Sequence, residues 1–231
     1  PEWYDVLPDE RRSHTSELVA FDELAGARVA VIGGRQSAYE WAALLCDHGA
    51  ERVDVVHRHD TPAFERVSWA FVNPYVEQTL HQRGWWRSLT PEQQQSIALE
   101  FWQVGRLTLE HWLVPRLRPE VVHSHPRTEV VQVDVGDAVR LTLSDGDVLE
   151  VDHVTCASGY AADLAAVPYL AGVLEAVSVT DGFPDLSPGF ETTLPGLFVT
   201  GFASTRDFGP FYGFTKGCPS AARIAVDEML R

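Results

Sequence analysis

The stretch that decides the fold is residues 28–58, RVAVIGGRQSAYEWAALLCDHGAERVDVVHR. Val29-Ala30-Val31-Ile32 is a short, continuously apolar, mostly β-branched run, the pattern of a strand buried on both faces of a parallel sheet. Gly33-Gly34 stops it. From Ser37 to His48 the apolar residues Ala38, Trp41, Ala42, Leu45 and Cys46 recur at helical spacing, and Gly49 stands where a helix C-cap is expected. Val53-Asp54-Val55-Val56 then reads as a second strand. Strand, glycine turn, helix and strand within about 30 residues make one βαβ unit.

A turn of this kind, between a buried strand and a helix, is where Rossmann folds bind the pyrophosphate of a dinucleotide. Glycines let the backbone approach the phosphates, and the helix N-terminus offers free N–H groups and the positive end of its dipole. Here the GxGxxG pattern reads Gly33-Gly34-Arg35-Gln36-Ser37-Ala38. Gly33 takes the first glycine role and Ala38 the third, while Arg35 replaces the second. A side chain there either crowds the pyrophosphate or turns its guanidinium onto a phosphate oxygen. NAD enzymes place an acid at the tip of the second strand for the ribose 2′-hydroxyl, whereas NADP enzymes place an arginine near the 2′-phosphate. This tip is His57-Arg58-His59, with no acid, so NADPH is the expected nucleotide. The alternating pairs His57/His59 and His123/His125 have no carboxylate or thiolate spacing to complete a metal site, and none is expected.

Around this unit the chain changes character several times. Residues 1–27 read as an irregular lead-in. Residues 60–118 turn helical and hold Trp69, Trp85, Trp86, Trp102 and Trp112. Thr90-Pro91-Glu92-Gln93 has the form of a helix start with a capping box, and Ile97, Phe101, Val104, Leu109, Trp112 and Leu113 continue an apolar face to Pro115. From Glu120 to Cys156 alternating residues broken at Gly136-Asp137 and Asp145-Gly146 predict a small antiparallel meander. Leu197-Phe198-Val199-Thr200 reads as a late strand, and a last helix is expected from about Pro219.

Eighteen basic against 33 acidic residues leave a net charge of −15, with no local basic patch, which disfavours a nucleic acid or an anionic membrane surface as partner. No run of about 18 apolar residues and no signal peptide is present, so a cytoplasmic protein is expected. Cys46, Cys156 and Cys218 form no CxxC pair, which fits a reducing compartment. The first residue is Pro1, as expected of a fragment or processed chain.

Several segments together carry a family resemblance. Val31-Ile-Gly-Gly-Arg-Gln-Ser-Ala38 with Glu40 resembles the NADPH fingerprint of class B flavoprotein monooxygenases: the flavin-containing, Baeyer-Villiger and lysine or ornithine N-hydroxylating enzymes. Ser13-His14-Thr15-Ser16 resembles the linker before that fingerprint. Val154-Thr-Cys-Ala-Ser-Gly-Tyr160 resembles their ATGY linker, with Ser158 in place of threonine. Leu194-Pro-Gly-Leu-Phe-Val-Thr-Gly201 resembles the strand that re-enters the FAD domain, and Phe208-Gly-Pro-Phe-Tyr-Gly-Phe214 the segment beneath the isoalloxazine. The family's own FAD fingerprint would lie before Pro1, and Gly201 is followed by Phe202-Ala203 where an acid is usual.

The resemblance implies an α/β fold: a Rossmann-like NAD(P)-binding domain (28–156) with a helical insertion (60–118) and an antiparallel meander, followed by the C-terminal piece of an FAD-binding domain (157–231). It implies NADPH and FAD as cofactors, held by Gly33, Gly34, Arg35, Gln36, Ser37, Ala38, His57, Arg58, Ser158, Gly159, Gly201 and Phe211. NADPH would reduce FAD by hydride transfer, and reduced flavin would activate O2 for a nucleophilic nitrogen or sulfur, or a ketone, of a small-molecule substrate. No general base is assigned, because the flavin does that chemistry. The rival readings are a flavin-dependent reductase of the ferredoxin or disulfide type and a non-catalytic NADP(H)-sensing module. A missing N-terminal FAD-binding part is the expected partner.

Overall fold

The computed structural model describes residues 1–231, which divide into two compact units: Pro1–Val67 with Arg106–Gly159, and Ser68–Gly105 with Tyr160–Arg231.

The first unit is built on a five-stranded parallel sheet. Its strands are β1 (Arg12–His14), β2 (Arg28–Ile32), β3 (Arg52–His57), β4 (Val122–Pro126) and, after the meander described below, His153–Cys156. Their order across the sheet is β1, His153–Cys156, β2, β3, β4. Helix α1 (Gln36–Asp47) connects β2 to β3. Successive residues of a strand point to opposite faces, and here the two faces are used by different partners. Val29, Val31, Val53 and Val55 pack with Ala38, Ala42, Leu45 and Cys46 of α1. Ala30, Val56 and Val154 pack on the other face with Val139, Leu141, Leu143 and Val151 of a meander formed by β5 (Val130–Val135), β6 (Val139–Leu143) and β7 (Val148–Val151). With both faces covered, the continuous apolar runs read in the sequence become the core, each fully buried valine or leucine contributing about 1.5–3 kcal/mol. Numbered in chain order, His153–Cys156 is β8.

Two expectations change here. The lead-in is not wholly irregular: Ser13 sits buried in β1, which pairs with β8. The Ser13 hydroxyl meets Thr155 Oγ1 at 3.0 Å and His153 Nε2 at 2.9 Å, a polar link no local periodicity signals. The meander has three strands, because Val122–Pro126 pairs in parallel with β3.

In the second unit, residues 68–105 pack with 160–231. Its core joins Val72, Trp86 and Phe101 to Phe190, Phe208, Phe211, Tyr212 and Ile224. The helices are α2 (Asn73–His81), α3 (Trp85–Ser88), α4 (Pro91–Gly105), α5 (Thr205–Phe208) and α6 (Cys218–Met229). The capping box forms as read: Thr90 N–H donates to Gln93 Oε1 at 2.8 Å, and Gln93 N–H to Thr90 Oγ1 at 3.3 Å. The helix does not run on to Pro115. It ends at Gly105, where a Cβ would lie 2.6 Å from the Trp69 ring, and Leu109–Glu110 and His111–Arg116 form a short strand and a 3-10 turn in the first unit. Leu197–Thr200 joins no sheet: it makes an isolated antiparallel bridge, Phe198 to Glu191, flanked by backbone bonds from Thr192 N–H to the Leu197 carbonyl and from Val199 N–H to the Phe190 carbonyl.

Buried neutral histidines give the first unit a definite response to acid. His57 (4% exposed) and His153 (8% exposed) are both held below the ordinary imidazole range, first by burial. The unfolded chain takes up protons near pH 6.5 while the folded chain does not, so stability is full above that pH and falls as pH drops below it. Asp54, held low, loses its contribution only further into acid. The urea midpoint should therefore be lower at pH 5.5 than at pH 7.5, and His153→Gln should remove part of that difference; equal midpoints at the two pH values would contradict this.

Candidate functional site

At the carboxyl ends of β2 and β3 lies a cavity of about 420 Å³, in the size range of small-molecule sites. Its walls come from five segments: the end of β2 with the turn Gly33-Gly34-Arg35, the strand tip Val56 to His59, the stretch after β8 with Ala157 and Ser158, the N-terminal Pro1 and Trp3, and Thr128-Glu129-Val130.

The turn is tight for identifiable reasons. Gly33 has φ +142°, and a Cβ there would lie 2.4 Å from the Ala157 carbonyl oxygen. At Gly34 a Cβ would lie 2.3 Å from the His57 ring. The two glycines thus press the turn against β8 on one side and β3 on the other. Gly34→Ala should cost about 1–3 kcal/mol of stability by overpacking, read as a lowered urea midpoint. A midpoint unchanged from wild type would show that the His57 ring moves aside freely.

Arg35, where the pattern has its second glycine, is the N-cap of α1 in extended backbone, φ −107°. No side chain caps this helix end, and its first turn holds no acid. The unclaimed N–H groups of the first turn and the helix dipole therefore favour an anion. The Arg35 guanidinium is half-buried at the cavity without an acidic partner, and burial lowers its pKa. Arg106, which the sequence did not single out, is also held low, first by burial and then by the charge of Arg35. Gln36 bridges to Glu40 and to the Glu110 N–H, Ser37 follows in the first turn, and Ala38 is fully buried against the sheet.

At the strand tip His57 and Arg58 part company. His57 turns inward: its Nδ1 meets the His59 carbonyl at 2.8 Å and its Nε2 the Tyr39 hydroxyl at 3.2 Å. A ring N–H can only donate to a carbonyl, so Nδ1 carries the proton and Nε2 accepts from Tyr39. His57 is therefore a neutral wall and not a second cation. Arg58 is exposed on the same cavity and carries no ion pair. His125, of the second histidine pair, contacts Asp54 Oδ1 at 2.8 Å, while Arg52 holds the same carboxylate at 2.8 and 2.9 Å. Burial would raise the Asp54 pKa, but these bonds outweigh it and leave the carboxylate low.

Of the residues named from the sequence, Gly33, Gly34, Arg35, His57, Arg58 and Ser158 meet at this cavity. Gly159, with φ +97°, closes the first unit. Gly201 and Phe211 belong to the second unit. Gly201 has φ +78° with open space where a Cβ would be. Phe211 is fully buried, stacked on Tyr75 at 5.7 Å and edge-on to Trp86 at 5.9 Å, so its side chain supports the core. Thr128, Glu129 and Trp3 were missed. They lie far from the fingerprint in sequence and carry no motif; only the pairing of β4 beside β3 brings 128–130 to the strand tip.

No protein-family model matches the chain. A stretch of 59 residues is 41% identical to the FAD-dependent urate hydroxylase of Xanthomonas campestris, covering 25% of this chain and 12% of that protein. The L-lysine 6-monooxygenase of Pseudomonas syringae superposes over 100% of this chain and 61% of its own, with TM-score 0.71 and 21% identity. The ornithine hydroxylase of Pseudomonas aeruginosa superposes over 99% and 58%, with TM-score 0.72 and 18% identity. A flavoprotein disulfide reductase of Escherichia coli matches at TM-score 0.59 and 16% identity, over 98% and 40%. The chain spans about three-fifths of the length of the two hydroxylase structures. It has the fold of the flavoprotein monooxygenases that its motifs resemble, a mixed α/β fold with a parallel sheet and an antiparallel meander.

Proposed function

We propose that this chain is the pyridine-nucleotide-binding part of an NADPH- and FAD-dependent monooxygenase. The observation that carries the reading is the cavity at the ends of β2 and β3, where a glycine turn, an uncapped helix N-terminus and two arginines without acidic partners converge. Those donors suit a nucleotide pyrophosphate and a ribose 2′-phosphate.

In this reading residues 28–159 hold NADPH. The first-turn N–H groups of α1 and Arg35 bind the pyrophosphate, and Arg58 takes the 2′-phosphate. Residues 160–231 return to the flavin domain, with Gly201 leaving room for the cofactor and Phe211 buttressing it from the core. The adenosine diphosphate of FAD is held by a strand, glycine turn and helix outside these 231 residues. When bound, the two cofactors supply hydride transfer and activation of O2; the side chains described here bind, orient and exclude water. Primary amines such as lysine, ornithine and cadaverine are the substrates to assay first, since they are named for proteins of this fold. A cytoplasmic setting fits the free thiols, and no helix is long and apolar enough to cross a membrane.

A disulfide-reductase chemistry is the second reading, supported by the shared fold. It is disfavoured by the cysteines: Cys46 and Cys156 are buried, Cys218 is exposed, and no two form a CxxC pair. Equilibrium dialysis of the purified chain tests the proposed division of cofactors. It should retain NADPH and leave FAD free. Retention of FAD without NADPH would overturn the division of labour proposed here.

A further inference from the structure

The cavity has a wall that neither phosphate nor ribose chemistry uses. A dinucleotide with its pyrophosphate on the Gly33–Arg35 turn and its ribose 2′-position at Arg58 still has its base to place, and the remaining wall includes Pro1 and Trp3 with Thr128-Glu129-Val130. The backbone sets that wall beside the strand tip: Thr128 N–H donates to the His57 carbonyl and Arg127 N–H to the His59 carbonyl, each at 3.0 Å. Trp3, from the 3-10 turn Glu2–Val6, packs half-buried on the cluster that contains Val56 and Val130. Glu129 is the sole carboxylate on the cavity wall. Its main chain is pinned on both sides, the N–H donating to Ser144 Oγ at 3.2 Å and the carbonyl accepting from the Ser144 N–H at 2.9 Å. The neighbouring Thr128 hydroxyl spends its one proton on the Pro126 carbonyl at 2.9 Å, so the wall's charged acceptor is the Glu129 carboxylate.

Resting on the nucleotide reading above, we propose that this wall is a base subsite selective for adenine, in which the Trp3 indole lies on the purine face and the Glu129 carboxylate accepts from the exocyclic amine. An aromatic face binds any base, so Trp3 supplies affinity. Selectivity comes from Glu129: adenine presents a donor at its 6-position, whereas hypoxanthine presents a carbonyl oxygen that a carboxylate repels. The cavity thus carries both signs of charge, Arg35 and Arg58 with the single acid Glu129.

Calorimetric titration of the whole chain with NADPH and with reduced nicotinamide hypoxanthine dinucleotide phosphate tests this. Trp3→Ala should weaken both nucleotides about tenfold, and Trp3→Phe, which keeps an aromatic face, should stay within about threefold of wild type. Wild type should favour NADPH over the hypoxanthine analogue by about tenfold, and Glu129→Gln, whose amide can donate, should abolish that preference. If Trp3→Ala does not fold, as judged by circular dichroism, the Glu129→Gln comparison decides alone. Wild type that binds NADPH but takes both bases equally, or a folded Trp3→Ala of unchanged affinity, overturns the subsite and leaves the nucleotide reading standing. Wild type that binds neither nucleotide overturns both.

Discussion

Arg35→Ala should weaken NADPH binding about ten- to hundredfold, the largest effect expected of any single substitution in the cavity. In a dinucleotide turn the second glycine admits the backbone to the pyrophosphate, so a side chain there must either obstruct the ligand or help to hold it. The geometry favours holding. Arg35 caps α1 in extended backbone, stands on the cavity, and has no acid in the first turn of its own helix. In a chain with 33 acidic residues, a half-buried guanidinium left without a carboxylate, with Arg106 close enough to repel it, is well placed for an anion from outside. A charge-assisted hydrogen bond is worth about 1.5–3 kcal/mol, which is the stated loss in affinity. Arg35→Gly separates the two roles, since it restores the usual residue while removing the charge. Tighter binding by Arg35→Gly than by wild type would reject the phosphate clamp.

The second large effect concerns the choice of nucleotide. Arg58→Ala should weaken NADPH about tenfold and leave NADH nearly unchanged, so that the preference collapses. Arg58 is exposed at the end of β3, whose His57-Arg58-His59 tip itself carries no acid, and His57 has turned inward as a neutral group. The 2′-phosphate then has Arg58 as its one charged contact at the tip. Because the pair is exposed, the preference should also shrink with added salt. Titrating both nucleotides against wild type and Arg58→Ala at two ionic strengths checks this. An NADPH to NADH ratio that survives the substitution would assign the 2′-phosphate elsewhere.

Much of the dinucleotide unit was legible because its signals are local. The β-branched run at 29–32, the glycine pair, the helical spacing from Ala38 to Cys46 and the glycine at 49 each act over a few residues, and the structure forms them within a residue or two of the reading. The capping box at Thr90 and Gln93 was legible for the same reason. What could not be read depends on partners distant in the chain. Ser13 enters the sheet only because β8 presents Thr155 and His153 to it, about 140 residues later. Val122–Pro126 alternates like a meander strand but pairs in parallel because β3 offers an edge. The aromatic residues of 68–105 carry helical spacing but no mark of which core they fill, and they pack with residues 160–231.

The same division holds at the cavity. Gly33, Gly34, Arg35 and Arg58 were found because turn and strand tip are parts of one motif. His57 was found at the strand tip, but its inward turn was not legible, since it depends on Tyr39 of α1 and on the tight contact with Gly34. Trp3 and Glu129 needed the fold.

The central claim is that NADPH lies across the turn after β2 and the tip of β3. Two-dimensional amide NMR of the labelled chain during an NADPH titration tests it most directly, because it reports position as well as affinity. The account predicts the largest shifts at Gly33 to Ser37 and Arg58, with further shifts at Thr128 and Glu129, and little change in the fully buried aromatic core around Phe211. Shifts that leave Gly33 to Ser37 unmoved, or no shifts at all as NADPH is raised into the millimolar range, would contradict it.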